Sequence, residues 1–518
     1  MQYGANYQID CEVFFMLGIW RSHAEYQLFL INNVLPFYIS NKITVEFYSK
    51  ALSKLYILDL DILKSLLKPR FSTTGKPSNQ QPEIFRSFIL MSELHFNSIS
   101  KWIKFLKATP ILSYAVGVSP SNIPGVGSHY DFITRLWLEN SDVEQERQNS
   151  LHPFKKKPRK KFDKNQKQPP RHPGIIKKFV DLALQGKSFE SRPEKLLQQI
   201  FAKVAVEPSA NAGLLGDTTK LTISGDGTCI NTGGSPYGIK VCDCVSNGIY
   251  NCDCHRRFSD TDARHGWDSY HEVWYYGHCG YFLSVYNTEF KKDLPIYLRL
   301  VEAQRNDGVT AIVALSEVRK LYPMFKFDKF LGDGAHDNNP TYDLLDAWNI
   351  TAIIPLNKKG LGKFKYEPPI EVDNNGVPIC MGELPMIYDY YDKVRHRIKW
   401  RCPYVKGKIQ FCYCKDQCSP SAYGRTIYTK PKWDVRLFTV IPRGSEQWQK
   451  EMNKRTASER VNKRILNDYN MEEAHSRGKK RWSWWTTLHS TNIHLDARIK
   501  VSKFNFISIL EKLILKIA

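Results

Sequence analysis

At 518 residues the chain is too long for one ordinary hydrophobic core, so two or three domains are expected. Hydrophobic residues at 42% and aromatics at 13% support a globular, well-packed protein rather than a disordered one. Lysine and arginine total 74 against 52 acids, a net charge of +22 that no fold requires. Such an excess attracts polyanions, and counterion release from nucleic acid is its commonest use. The alternative is a basic protein with no such partner.

No uninterrupted apolar run reaches the length of a membrane-spanning helix. Cys11–Trp20 is short and holds Glu12, and Tyr26–Ser40 is broken by Asn32 and Asn33. No positively charged lead precedes a signal-peptide core. These features predict a cytoplasmic protein without a membrane partner. Its 12 cysteines are then expected to be thiols or metal ligands rather than disulfides.

Residues 1–150 read as mainly helical, with 1–60 the least informative part. Over Pro82–Leu106 the apolar residues Ile84, Phe88, Met91, Phe96, Ile99, Trp102, Ile103 and Leu106 fall at helical spacing, and Ser98 can cap a second helix. Ile123-Pro-Gly-Val reads as a turn opening another helix that runs to Trp137. A basic linker and a helix occupy 151–205. Within it, residues 154–173 hold nine Lys/Arg and one acid. That run cannot bury a core and reads as a mobile tether able to lie along phosphates.

Between 206 and 359 the pattern is mixed α/β. Strands are expected at Leu221–Asp226, Tyr276–Tyr286, Pro295–Ala303, Phe327–Leu331 and Thr351–Leu356. Helices are expected at Asp307–Leu321, capped near Asn306, and at Asn339–Trp348, with Pro340 in its first turn. The order is β-β-β-α-β-α-β. Residues 360–432 break this rhythm with five cysteines and read as a β-rich insertion. A strand at Val435–Ile441 and a long helix over Glu446–Asn467, capped by Ser445, resume the core within 433–505. Residues 506–518 form a tail.

Three acids stand out. Asp226 ends a strand and precedes Gly227; Asp333 follows a strand and precedes Gly334; Glu459 lies on the long helix. Each Asp-Gly pair alone reads as a turn. Together with the glutamate helix they describe an α/β, RNase H-like mixed sheet flanked by helices, whose three carboxylates meet at one end. Asp226, Asp333 and Glu459 are therefore the candidate catalytic and metal-binding residues. Such carboxylates hold two Mg²⁺ or Mn²⁺ ions about 3.5–4 Å apart for in-line displacement at phosphorus. The glycines let a phosphate backbone approach. On the helix, Arg455, Glu459 and Lys463 share one face, either as a surface ion-pair ladder or with both cations gripping DNA. Arg460 and Arg464 extend the basic surface. Asp260 and Asp262 read as loop caps, and Asp337 as a helix-start residue near the site.

These motifs resemble bacterial insertion-sequence transposases of the DDE class. That family's glutamate motif is Tyr-x2-Arg-x3-Glu-x6-Lys. Arg455 and Glu459 match it, while Met452 and Leu466 replace its tyrosine and lysine. Gly332-Asp333-Gly-Ala-His-Asp337 with Ile353–Asn357, and Ser259–Trp267 with Tyr276-Gly277, also resemble the family. The resemblance spans about residues 60–510. It implies cut-and-paste transposition at the bacterial nucleoid, with terminal inverted repeats and target DNA as partners and a homodimer on the DNA. It also implies an insertion domain between Asp333 and Glu459, and a tryptophan handling a flipped base, a part open to Trp267, Trp482, Trp484 or Trp485, although each taken singly reads first as a core or DNA-facing structural residue. An inactive transposon-derived DNA-binding protein and a metal-dependent nuclease are the alternatives.

The cysteines form two groups. Cys380, Cys402, Cys414 and Cys418, with Cys412 close by, are candidate ligands for one structural Zn²⁺. Cys242, Cys244, Cys252 and Cys254, followed by His255, make two Cys-x-Cys pairs that could flank a hairpin turn at Asn247-Gly248, as metal ligands or as loop thiols.

Overall fold

The structure, a computed structural model, describes residues 17–155, 174–357, 368–414 and 418–517, apart from positions 19, 73, 75, 76, 188, 190 and 191. Most of the basic run (156–173) and the first 16 residues lie outside them. Among the described residues no helix is long and apolar enough to cross a membrane.

The site sits on a mixed sheet. Strand β1 (Leu221–Asn231) is its centre. After β2 (Arg264–Asp268), the long strand β3 (Val273–Asn287) runs antiparallel to β1, and β4 (Lys292–Glu302) runs antiparallel to β3. On the other edge of β1, β5 (Phe327–Leu331) and then β6 (Thr351–Ile353) add in parallel. Nearly every β3 residue from Tyr275 to Val285 is buried. That is why β3 reads as a continuous apolar run, covered on both faces, rather than an alternating strand.

Helices flank this sheet. Asn306 caps Asp307–Leu321 by accepting the Gly308 N–H at 2.9 Å. Ile312 on that helix, Leu344 on Asn339–Ala347, and Val180 and Ala183 on Ile175–Leu184 form one buried cluster. Helix Thr456–Lys463 lies against β1, β3 and β4.

The expected order of strands and helices over 221–353 is present, with β2 and a short antiparallel pair, Ile239–Lys240 with Arg256–Arg257, as unforeseen additions. One expectation downstream fails. Val435–Ile441 is not a strand: Asp434 accepts the Arg436 and Leu437 N–H groups at 2.9 and 3.1 Å, and Arg443 donates to the carbonyls of Ile354 and Arg436. These side chains satisfy the backbone locally and leave no ladder. The helix expected over Glu446–Asn467 is present as one helical run, α-helical over Glu446–Met452 and Thr456–Lys463, tightened over Asn453–Arg455 and widened over Arg464–Asp468. Thr456 and Ser458 hydroxyls bond back to the carbonyls of Asn453 and Arg455 at the tightened turn.

The segment between β6 and Glu446 contains a three-stranded antiparallel sheet of β7 (Ile387–Asp392), β8 (Arg397–Arg401) and β9 (Thr426–Thr429), with β8 central. Its core holds Val377, Cys380, Met386, Ile398, Trp400, Leu437 and Phe438.

A second compact unit gathers the residues up to Val143, Arg192–Pro208 and those from Trp484 onward. It is helical. Ser22 and Glu25 form a capping box that opens helix His23–Ser40. The expected helices follow at Gln81–Glu93, Ile99–Ala108 with Ser98 as cap, and Val126–Leu136. The end of the chain belongs to this unit because Trp484 packs edge-on against Phe85, Phe88 and Phe132, and fully buried Lys54 pairs with Glu93 and Asp496. Residues after 505 are thus a packed helix, Ile507–Ile517, with Leu510 fully buried, rather than a tail.

Candidate functional site

Parallel pairing of β1 and β5 ends at Ser224 opposite Leu331. Two residues on from each stand Asp226 and Asp333, in register on the face of their paired residues; Asp333 follows the end of β5, but Asp226 does not end its strand as expected, because the antiparallel pairing of β1 with β3 carries on to Asn231. Helix Thr456–Lys463 reaches the same place. Its Asn462 donates to the Asp226 carboxylate at 3.1 Å, and Glu459 lies one turn earlier. Burial pushes Asp226 up to about 7, against the pull of Arg455 and with the repulsion of Asp307 and Asp333.

Asp333 is held differently. Burial raises its pKa, but the His336 hydrogen bond and charge outweigh that and keep it below the ordinary value. His336 Nδ1 donates to Asp333 at 2.7 Å, and its Nε2 stands 2.9 Å from the Tyr281 hydroxyl. Both rings are fully buried. The relay explains two glycines. A Cβ at Gly225 would collide with the Tyr281 hydroxyl, and one at Gly332 would lie 2.8 Å from the His336 ring.

Sequence reasoning missed Asp307. Read only as a helix start, it brings a fourth carboxyl to the cluster, raised by burial. An added Cβ at Gly227 would sit 2.6 Å from its Oδ1, so Gly227 makes room for Asp307 rather than for a phosphate. At Gly334 an added Cβ meets nothing nearer than 3.9 Å, so no protein group crowds that glycine. The signal for Asp307 was in plain view as a third Asp-Gly pair, Asp307-Gly308.

The helix face is committed to ion pairs. Arg455 pairs with Glu459, and Arg460 grips Asp293 through two nitrogens at 2.6 and 2.7 Å. Arg464 stands 3.8 Å from Asp468, and Lys463 is exposed. Met452 is packed beside Trp448 on the cluster of Leu331, Ile353 and Ile441.

Asp337 does not face the site. It is buried in a two-pronged pair with Arg436 at 2.7 and 2.8 Å, and it also accepts from Tyr342 and the Asn357 N–H. Asp260 caps its own loop as expected, accepting from the N–H groups of Asp262 and Ala263. Its other oxygen receives Thr232, His278 and the Gly478 N–H at 2.6, 3.1 and 2.8 Å. Of the tryptophans, Trp482, Trp484 and Trp485 are core residues; Trp267 is half exposed, edge-on to Trp274 at 5.4 Å.

The carboxylates fit a hard divalent cation in donor type, and one buried atom asks for such a partner: the Asn462 Oδ1, beside Asp226, meets no hydrogen-bond donor. Among the described residues, however, Asp226, Asp333 and Glu459 do not gather within 4.8 Å of one another, whereas four sulfurs do.

Those four are Cys242, Cys244, Cys252 and Cys254, which could hold a metal such as zinc. The hairpin is as expected: Gly248 turns with φ +76°, and the Ile249 N–H returns to the Cys244 carbonyl at 2.7 Å. Cys242 meets Cys252, and Cys244 meets Cys254, each at 3.6 Å. Tetrahedral Zn²⁺ with Zn–S about 2.3 Å needs sulfur edges of about 3.8 Å. The Cys242 hydrogen bond and the Cys254 N–H draw the Cys252 thiol down, while hydrogen bonds from the neighbouring thiols push Cys244 up, so the four sulfurs share their protons unequally. Cys244→Ser is expected to remove one zinc per chain and to speed amide exchange over 242–254, read by metal analysis and hydrogen exchange. Unchanged zinc content in that variant would reject the site.

Of the other predicted ligands, Cys380, Cys402 and Cys414 are buried and Cys418 is half-buried; Cys412, left out of the predicted set, is buried 3.4 Å from Cys414. Compared with known proteins, the chain matches no family model, no curated protein and no solved structure.

Proposed function

We propose that this chain is a DDE-class transposase with an RNase H-like catalytic core, cleaving transposon ends and joining their 3′-hydroxyls to target DNA. One observation carries the reading: Asp226 within β1 and Asp333 just past the end of β5 stand in register on adjacent parallel strands, and Asn462 docks the Glu459 helix onto Asp226. The sheet order supports it, three antiparallel strands followed by two parallel ones beyond the first. The net charge of +22 supports a nucleic acid substrate.

Asp226, Asp333 and Glu459 are the residues that would hold Mg²⁺ or Mn²⁺. When bound, such ions polarise the phosphoryl group and activate the attacking oxygen. The chain's own residues do the positioning. His336, fixed by Tyr281, aims Asp333. Arg455 supplies positive charge beside the carboxylates and orients Glu459. Lys463 and Arg464 offer charge to the phosphates flanking the reaction. Arg460 is spent on Asp293, so it steadies the helix against the sheet and contributes to DNA affinity only through the general field. Two ends must be held together, which makes a homodimer on DNA the expected assembly, working at the nucleoid.

The test is a strand-transfer assay with purified protein, Mg²⁺ and labelled DNA ends taken from the sequences flanking the coding region. Joined products are expected, and EDTA is expected to abolish them. Hydrolysis without joining would favour a nuclease, and binding without cleavage an inactive transposon-derived protein.

A further inference from the structure

The lobe built on β7, β8 and β9 is small. Its core has seven buried residues, one of them a cysteine. Lobes of that size are commonly held by a metal or by disulfides. All cysteines of this lobe are free thiols. Cys380, Cys402, Cys412, Cys414 and Cys418, from three separate stretches of chain, line one open cavity of about 400 Å³.

The local backbone turns toward this cavity. After Cys380, the Glu383 N–H returns to the Cys380 carbonyl at 2.9 Å with Glu383 at φ +54°. After Cys402, the Lys406 N–H returns to the Cys402 carbonyl at 3.2 Å, and Gly407 follows at φ +67°. Each of these cysteines thus opens a tight turn closed by a left-handed residue. Cys412 and Cys414 sit with their sulfurs 3.4 Å apart, a contact without a bond. Gly382 faces the group: an added Cβ there would lie 3.2, 3.7 and 3.8 Å from the sulfurs of Cys414, Cys412 and Cys380. Any side chain at 382 would therefore intrude among the thiols.

We propose that Cys380, Cys402, Cys412 and Cys414 form a second zinc centre, separate from the Cys242–Cys254 hairpin. The four are buried alike, at 7, 8, 8 and 9% exposure, whereas Cys418 is half-buried and stands outside the set. Their sulfurs are less tightly gathered than those of the hairpin. Side-chain rotation between staggered positions is the movement that would close them on an ion. Binding releases the protons of the four thiols to solvent and leaves four thiolates around one Zn²⁺, a closed structural set with no open position for chemistry. The centre ties the end of β8 to the loops on either side of it. It stands independently of the transposase reading, since metal content requires no DNA.

The experiment uses the full chain purified without chelator. Metal analysis and native mass spectrometry are expected to find two zinc ions per chain. Alkylation mapped on peptides is expected to label Cys418 at once and to label Cys380, Cys402, Cys412 and Cys414 only after a strong zinc chelator is added. Cys412→Ser with Cys414→Ser is expected to keep one ion, and Cys242→Ser with Cys244→Ser is expected to keep the other. Cobalt substitution of that second variant is expected to give the sulfur-to-metal charge-transfer band of a tetrathiolate site. One zinc per chain with chelator-independent labelling at 380, 402, 412 and 414 overturns the proposal. So does a mass two hydrogens low, with Cys412 and Cys414 labelled only after reduction, which marks a disulfide. Both of these are read on the unmutated protein, so misfolding of a variant does not shield the proposal.

Discussion

Asp226→Asn is expected to abolish divalent-metal-dependent strand cleavage while making the metal-free protein harder to unfold above pH 7. The two effects share a cause. Burial lifts the Asp226 carboxyl to about 7 in the folded chain, whereas an unfolded aspartate titrates near 3.9. For an acid whose folded pKa is raised, the cost of ionisation starts above the unfolded value, grows with pH and is complete above the folded value. Three units correspond to roughly 4 kcal/mol, an upper figure. Asparagine keeps an oxygen for the Asn462 amide to donate to and removes the charge.

Urea unfolding at pH 5 and pH 8, with and without Mg²⁺, separates these contributions. Wild type is expected to lose stability from pH 5 to pH 8 without metal and to regain it with Mg²⁺. Asp226→Asn is expected to do neither. Cleavage by the variant, or Mg²⁺ stabilisation equal to that of wild type, would sink the assignment of Asp226 as a ligand.

Asp260→Ala is expected to be among the most destabilising single changes in the sheet unit, at about 3–5 kcal/mol, the usual penalty for stripping one partner from a buried charged pair. The carboxylate receives five hydrogen bonds, from Thr232, His278, Gly478, Asp262 and Ala263. They join the end of β1, the loop before β2, strand β3 and the segment before Lys479. Burial opposes ionisation, yet the His278 hydrogen bond and charge, with Thr232 and Gly478, hold the Asp260 pKa well below the usual carboxylate range. A depressed folded pKa means its stabilisation is fully present above the unfolded value, about 4, and drains away as pH falls below it. The wild type should therefore lose an acid-sensitive increment that Asp260→Asn lacks. Hydrogen exchange at the amides of Gly234, Ala263 and Gly478 is the local readout. Wild-type protection at all three in Asp260→Ala would show the network to be dispensable.

Asp260 shows where sequence reading stops. Its spacing to Asp262 and Ala263 displays a loop cap. Nothing along the chain displays Gly478, which arrives from 218 residues away. Asp337 is the converse. Proximity to Asp333 in sequence suggested a place near the site, but the fold turns it to Arg436, 99 residues on. Glu459 was legible as an acid on a helix beside Arg455, because the i,i+4 relation is local. The tightening of its helix at Asn453–Arg455 was not, since it goes with side-chain bonds back to the main chain.

What the sequence determined by itself was the alternation of strands and helices over 221–353, the caps at Ser98 and Asn306, and the hairpin that brings two Cys-x-Cys pairs together. Each rests on contacts within a few residues, where hydrophobic period, capping and turn chemistry act. Only the tertiary structure decided that Asp307 joins Asp226 and Asp333, that Tyr281 and His336 hold Asp333, and that Trp484 and the residues after it pack among the N-terminal helices. Those depend on burial and on partners far apart in the chain, and burial is a property of the folded surface that no local pattern carries.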